Sequence, residues 1–138
     1  MQKTPDSWRE HSPSGLMTTL GPLLSQNQDG NWLYGLQIRE CHLNPAGVVH
    51  GGTVSTLIDH AFSSVCWYET GKVPCVTVQL NVSFIKPAHL GDLLVVRSTL
   101  TQKTSSLLFI TGDVTVDDTV IASGQAVLKA LRPRSDKT

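Results

Sequence analysis

One stretch of the chain combines an anion-binding element with a single acid. Asp59 is the only charged residue between Glu40 and Glu69. A glycine pair, Gly51 and Gly52, precedes it and would leave backbone N–H groups bare at a helix start, where an oxyanion or a phosphate can bind. A long helix with no Lys, Arg or Glu is expected to be enclosed on all sides, and a carboxylate placed there needs a function. We therefore interpret the two features as a catalytic pair.

The element that carries both features is predicted to be one long helix. Apolar residues recur at three- and four-residue spacing, which forms one apolar stripe on a helix. They are Val54, Leu57, Ile58, Ala61, Phe62 and Val65. The pattern predicts a helix over 51–68, with Gly71 suited to a left-handed C-terminal cap.

The rest of the chain has the pattern of a sheet. Residues 22–40 predict a hairpin, because Asp-Gly followed by Asn is a strong turn signal. Four further strand-like stretches follow the helix with short connections, which favours an antiparallel meander. They are 76–84, 93–101, 107–116 and 120–131, and in the first of them the even positions are apolar. Ser14 is a candidate cap for a short helix before the hairpin. Six strands and one long helix predict an α+β fold in which a curved antiparallel sheet wraps around the helix.

Length and charge limit the possible classes of protein. The chain has 138 residues and a mass of 15.0 kDa, which suits one domain over 1–138. Residues 1–19 form a weakly patterned N-terminal segment, and 132–138 are expected to fray. Eleven acids balance eleven bases, so no global field favours nucleic acid. Apolar runs are too short for a membrane span, and no signal-peptide pattern is present, so we expect a cytoplasmic protein.

Several motifs together resemble the hotdog-fold acyl-CoA thioesterases, in particular the phenylacetate-pathway (PaaI-like) branch. The resemblance is carried by Asn44-Pro45-Ala46-Gly47-Val48-Val49-His50-Gly51-Gly52, by Asp59, by strand 78–84, and by Lys86-Pro87-Ala88-His89-Leu90-Gly91-Asp92. It covers roughly residues 20–131. The resemblance implies a hotdog fold and hydrolysis of an acyl-CoA or aryl-acyl-CoA, with no cofactor apart from the coenzyme A of the substrate.

The resemblance also implies roles for individual residues. The N–H of Gly51 would face the thioester carbonyl oxygen. Asn44 would help to polarise that oxygen or would hold the loop. Asp59 would be the catalytic carboxylate, as nucleophile or as general base on a water molecule. Thr77 matches a position where relatives often carry a hydroxyl near the acid.

An assembly of two or more chains is implied as well. In this family two subunits lie side by side, and each site takes its oxyanion donor from one chain and its acid from the other. The spacing in this sequence is compatible with that arrangement, because Gly51 and Asp59 lie about 12 Å apart along a helix. We expect a homodimer with sites at the interface, further paired as a dimer of dimers.

Two further residues near the helix are catalytic candidates. Ser63 lies one turn after Asp59 on the same face and could orient the attacking water, or could simply bond to the i−4 carbonyl. His50 could act as a general base, or could hold the loop that precedes the helix. No His or Cys spacing indicates a metal site.

Substrate contacts are expected from glycine, aromatic and basic residues. Aromatic side chains would contact the acyl group, and basic side chains would bind the phosphates of coenzyme A. The candidates are Gly52, Trp67, Phe84, Lys86 and Arg132.

Two other functions remain open on this fold. A hydratase or dehydratase would need a His and an acid that reach the same substrate carbon, usually with a different loop before the helix. A non-catalytic acyl-CoA binding or sensing module would bind the thioester without releasing thiol.

Overall fold

A seven-stranded antiparallel sheet and one long helix make up most of the structure, a computed structural model that describes residues 7–131. The strands are β1 (Arg9–His11), β2 (Leu23–Gln28), β3 (Asn31–Gln37), β4 (Cys75–Phe84), β5 (Leu93–Lys103), β6 (Leu107–Val116) and β7 (Thr119–Ala130). The helices are α1 (Leu16–Leu20) and α2 (Gly51–Glu69), with a short 3-10 turn at Glu40–His42. The order across the sheet is β1-β2-β3-β5-β6-β7-β4. The α+β fold with a sheet around a central helix is therefore confirmed.

The predicted count of six strands is wrong by one. The additional strand, β1, has three residues and pairs with β2 at the edge of the sheet. So short a segment shows no alternation of polar and apolar residues, so periodicity could not reveal it. Helix α1 is present, but Gly15 occupies its N-cap position and Ser14 does not.

Tight hairpins set the strand register at two turns, the first of which the sequence predicted. Asp29 and Gly30 have φ values of 52° and 88°, and they join β2 to β3 through a two-residue loop. Asp117 and Asp118 have φ values of 48° and 67°, and they join β6 to β7 in the same way. Positive φ at both positions gives the turn whose twist matches that of the strands.

Helix α2 lies very close to strands β6 and β7 of the sheet. A Cβ at Gly112 would meet a ring carbon of Phe62 at 2.8 Å, and one at Gly124 would meet a methyl carbon of Ile58 at 3.1 Å. Gly112 and Gly124 are paired in neighbouring strands. The absence of side chains at these two positions therefore allows Phe62 and Ile58 of the helix to lie against the backbone of the sheet.

Only one face of α2 is enclosed within a single chain, so the prediction that the helix is enclosed on all sides is wrong for the protomer. The buried residues are Thr53, Val54, Leu57, Ile58, Ala61, Phe62 and Cys66. The opposite stripe is half-buried or exposed and consists of Gly52, Thr56, Asp59, Ser63 and Trp67. Charges are scarce on a face that a single chain leaves open, which indicates that this face is covered by something else.

The C-terminal end of α2 follows the predicted cap. Gly71 has a φ of 73°, and its N–H donates to the carbonyl of Tyr68, while Lys72 donates to that of Trp67. Together these bonds form a Schellman motif, which satisfies the last carbonyls of the helix. No helix within residues 7–131 combines the length and the apolar character that crossing a membrane requires.

Candidate functional site

The start of α2 leaves one backbone donor open. His50 is the N-cap, and its Nδ1 accepts the N–H of Gly52 at 2.8 Å. The N–H groups of Thr53 and Val54 both donate to the carbonyl of His50. Within residues 7–131 the N–H of Gly51 has no acceptor, so the positive end of the helix dipole is presented through this one amide.

The same cap explains the second glycine of the pair. A Cβ at Gly52 would meet Nδ1 of His50 at 3.0 Å, so the ring of the capping histidine fills the space of a side chain. The amide of Gly52 is used by the cap. If Gly52 contacts the substrate as predicted, its exposed α-carbon would make that contact, and its amide would not.

Asn44 organises the loop before the helix. Its side-chain oxygen accepts the N–H groups of Ala46 at 2.9 Å and Val48 at 3.3 Å, and its own N–H donates to the carbonyl of Val48. Of the two roles considered for Asn44, these contacts favour holding the loop. Its amide nitrogen remains the only part of the side chain that could reach a substrate oxygen.

A buried histidine that we did not single out as a site residue also supports this loop. His42 is fully buried, its Nδ1 accepts the N–H of Arg39 at 2.9 Å, and its Nε2 lies 2.6 Å from the carbonyl of Leu20. Nδ1 is therefore an acceptor and Nε2 the donor, which describes a neutral ring. Burial lowers the pKa of His42 accordingly. Its carbonyl accepts the N–H of His50, which ties the cap to the core.

Asp59 is held by one neutral donor. The hydroxyl of Thr77 donates to Oδ1 of Asp59 at 2.6 Å, and within residues 7–131 no basic side chain forms an ion pair with this carboxylate. A carboxylate held only by a hydroxyl has no counter-charge beside it, and its second oxygen remains available for another partner. Paired with an arginine, it would have been a structural ion pair instead.

A bulge in β4 aims Thr77 at the helix. The register of β4 against β7 shifts between Thr77 and Gln79, and one extra residue reverses which side chains face inward. Thr77 is half-buried, whereas Val76 and Val78 are 44% and 60% exposed. The apolar even positions suggested the opposite orientation at the start of this strand, and a bulge cannot be seen in a two-residue pattern.

Ser63 and Trp67 extend the site along the helix. Together with Ser64, Pro74 and Cys75 they line an open cleft of about 330 Å³. Cys75 lies two residues before Thr77, and Ser63 lies one turn after Asp59. The cleft is therefore a continuation of the Asp59 site toward the C-terminal end of α2.

Phe84 and Lys86 lie at the other end of α2. With Gly51, Ile85 and Ala88 among their neighbours, they line a cavity of about 250 Å³. A Cβ at Gly51 would meet the ring of Phe84 at 3.3 Å, although this ring is 58% exposed. The ring therefore borders the open amide and could cover it.

The structure gathers the predicted residues into two groups. Gly51, His50 and Asn44 lie at the helix start beside Phe84, whereas Asp59, Thr77 and Ser63 lie two turns further on, about 12 Å away by the helical rise. One group can polarise an oxygen and the other can supply an anionic base or nucleophile. Arg132 lies outside the described residues. Within residues 7–131 no three His, Cys, Asp or Glu side chains are close enough together to hold a metal.

The cap formed by His50 can be tested by stability. We expect His50→Ala to lower the free energy of unfolding by about 1 kcal/mol, because the N–H of Gly52 loses its acceptor. His50→Asn should keep most of that stability, because asparagine is a preferred N-cap residue. Urea unfolding measures both changes through the midpoint at constant slope. Equal stability of His50→Ala and the wild type would show that the cap contributes nothing.

Comparison with known proteins identifies relatives of this arrangement. A family model described as "Thioesterase superfamily" matches residues 46–123. Mouse acyl-coenzyme A thioesterase 13 is 28% identical over 92 residues, which cover 65% of this chain and 66% of that protein, just under two thirds of its length.

Solved structures share the fold. A Bacillus halodurans protein solved with CoA is 26% identical, with a TM-score of 0.75 over 86% of this chain and 78% of its own. A phenylacetic acid degradation-related protein of Ralstonia eutropha is 26% identical, with a TM-score of 0.71 over 82% of this chain and 87% of its own.

Proposed function

Because this chain belongs to the thioesterase superfamily, we propose that it hydrolyses the thioester bond of an acyl-CoA or aryl-acyl-CoA to the free acid and CoA. The family resemblance that the sequence indicated is thereby confirmed, and the activity is our inference from it. The observation that carries the proposal is the division of α2 between an open amide at Gly51 and a carboxylate at Asp59 held by a neutral hydroxyl.

Polarisation of the carbonyl is assigned to Gly51. Thioester cleavage develops negative charge on the carbonyl oxygen, and a fixed N–H at a helix start stabilises that charge without reorganising. The cap formed by His50 engages the neighbouring amide, so the oxygen would meet one well-defined donor.

Asp59 is assigned the attack on the carbonyl carbon. Acting as a base, it would take a proton from water as the hydroxyl bonds to carbon and the thiolate of CoA leaves. Acting as a nucleophile, it would form an anhydride that water then opens. After a turnover in ¹⁸O-labelled water, label found in Asp59 by mass spectrometry of the protein identifies the second route, because only an anhydride opened by water at the Asp59 carbon transfers label there.

Both groups are proposed to act on one substrate across two chains. Strand β4 ends the sheet, pairs only with β7 among the described strands, and exposes the apolar side chains of Val76, Val78 and Phe84. An open apolar edge of this kind favours pairing with another chain. A second copy at this edge would cover the open face of α2 and bring its own Gly51 toward Asp59. A further pairing of dimers is an extension of this proposal.

Contacts with substrate are proposed on the two sides of the thioester. The cavity beside Gly51 would hold the pantetheine arm against Phe84, with Lys86 near the phosphates. The cleft of Ser63, Cys75 and Trp67 would receive the acyl group.

The proposal is tested by measuring release of free thiol from a panel of aliphatic and aromatic CoA thioesters. Repeated turnover supports hydrolysis. Stoichiometric binding in equilibrium dialysis without thiol release would instead identify a binding or sensing module, and hydration of an enoyl-CoA would identify a hydratase.

Thr77 gives a more specific prediction. A hydrogen bond to a charged group contributes about 1.5–3 kcal/mol, so loss of the hydroxyl in Thr77→Val should lower kcat roughly tenfold or more as Asp59 loses its orientation. Thr77→Ser keeps the hydroxyl and should stay within a fewfold of wild type. Steady-state kinetics on the best thioester measures both variants. Equal rates for the valine and serine variants would mean that the bond has no catalytic consequence.

A further inference from the structure

A second cavity lies beside the C-terminal half of α2, toward β1 and β2. Its volume is about 190 Å³, and it adjoins the cleft described above through two shared lining residues, Ser64 and Trp67. Pockets for drug-sized ligands have volumes of roughly 300–1,000 Å³. This cavity is smaller and is therefore suited to a single ring.

Aromatic side chains are prominent in the lining of this cavity. Trp32 and Tyr68 stack with their ring centroids 5.4 Å apart and their planes 8° apart. Trp67 meets Tyr68 edge to face at 5.1 Å. Flat apolar walls of this kind favour a planar aromatic guest.

Neutral hydrogen-bonding groups also line the cavity. Tyr34 is 4% exposed, and burial raises the pKa of Tyr34 to about 12. Burial also lowers the pKa of His60, an effect that the neighbouring carboxylate of Asp59 partly offsets. Tyr34 thus keeps its proton and His60 is neutral near pH 7. Both can donate a hydrogen bond.

The charge at the cavity is entirely of one sign. Arg9 and His11 lie two residues apart in β1 and so share a face, whereas Glu10 points to the other face and is absent from the lining. Nε2 of His11 lies 2.5 Å from the hydroxyl of the buried Ser25. No Asp or Glu within residues 7–131 lines this cavity. Arg9 is the permanent charge, and it favours an anion.

We propose that this cavity binds an aromatic ring that carries a carboxylate, with the ring against the tryptophan and tyrosine walls and the carboxylate at Arg9. Arginine matches the geometry of a carboxylate, and the neutral donors of Tyr34 and His60 supply further hydrogen bonds. The guest could be a free aromatic acid or the far end of an acyl chain. Binding of the free acid does not depend on the hydrolysis proposed above.

Titration with benzoate tests the site, because Trp32 and Trp67 line it and report binding by fluorescence. We expect saturable binding of benzoate, at least tenfold weaker binding of the neutral isostere benzamide, and at least tenfold weaker benzoate binding by Arg9→Gln. Asp59→Asn should bind benzoate within a fewfold of the wild type, because Asp59 does not line the cavity. Tyr34→Phe removes the buried hydroxyl of Tyr34, and the same titration measures how much weaker this variant binds benzoate.

Three results would overturn the assignment. They are absence of benzoate binding at tens of millimolar, equal affinity of Arg9→Gln and wild type, and at least tenfold tighter binding by Asp59→Asn, which would place the benzoate beside Asp59 at the thioester site. Thiol release from phenylacetyl-CoA and from 4-carboxyphenylacetyl-CoA shows whether the guest is a free aromatic acid or the far end of an acyl chain. If Arg9→Gln raises KM for the carboxylated thioester alone, the guest is the acyl end. An unchanged KM with weaker benzoate binding identifies the free acid. If the protein cleaves no thioester, the benzoate titration still tests the cavity, because it does not depend on hydrolysis.

Discussion

Asp59→Asn is expected to lower kcat by about 10²–10⁴-fold while the protein keeps its fold, because a positioned carboxylate typically contributes that much to proton transfer. Asparagine has the same shape, and its side-chain oxygen can still accept the hydroxyl of Thr77. Stability should therefore change little. Thiol release under saturating thioester measures the rate, and urea unfolding measures the stability.

Controls separate charge from packing at this position. Asp59→Ala should lose the same activity and also the bond from Thr77, so its stability should fall below that of Asp59→Asn. Ser63→Ala alters the neighbour one turn away and should have a much smaller effect on kcat than either Asp59 variant. Wild-type turnover by Asp59→Asn would remove Asp59 from the mechanism and leave the proposed chemistry without an anion.

Gly51→Pro is expected to lower kcat by about 10²–10³-fold relative to Gly51→Ala, the usual effect of losing one oxyanion donor. Gly51 is the first residue of α2, a position where proline is well tolerated. The functional difference between proline and alanine at this position is the N–H that proline lacks. His50 already has φ −62° and ψ 135°, the extended conformation that a following proline requires.

Gly51→Ala is the matched control because it adds a Cβ but keeps the amide. The Cβ of either variant approaches the exposed ring of Phe84, so Phe84→Leu in both backgrounds removes that contact and leaves the amide as the difference. If the proline and alanine variants have the same kcat, the open amide at the helix start does not stabilise the transition state.

Mixing the two inactive variants tests whether the site is shared. If Gly51 and Asp59 act from different chains, a mixed dimer of Gly51→Pro and Asp59→Asn has one intact site and one doubly defective site. Random mixing should then restore about a quarter of the wild-type rate. If both groups act from one chain, mixed dimers have no intact site, and activity should stay near that of the separate variants.

Local patterns were sufficient for the elements with strong periodicity or special turns. The stripe over 51–68 predicted α2 to within one residue of its end at Glu69, and Asp29-Gly30 marked a hairpin. Strand β1 was missed because three residues carry no periodic signal, and the bulge at Thr77 was missed because the even positions of the sequence stay apolar on both sides of it.

The sequence by itself determined which residues could do chemistry here. A helix start with two glycines and one isolated acid can be recognised from residue types and spacing, since both are properties of a single helix. Tertiary structure alone decided how these residues are used. It assigned the amide of Gly52 to His50 and left that of Gly51 open, and it turned Thr77 toward Asp59 through a bulge. It also brought Arg9 to the same cavity as His60. These contacts join residues far apart in the chain or depend on the direction of single bonds, and neither is encoded in a local pattern.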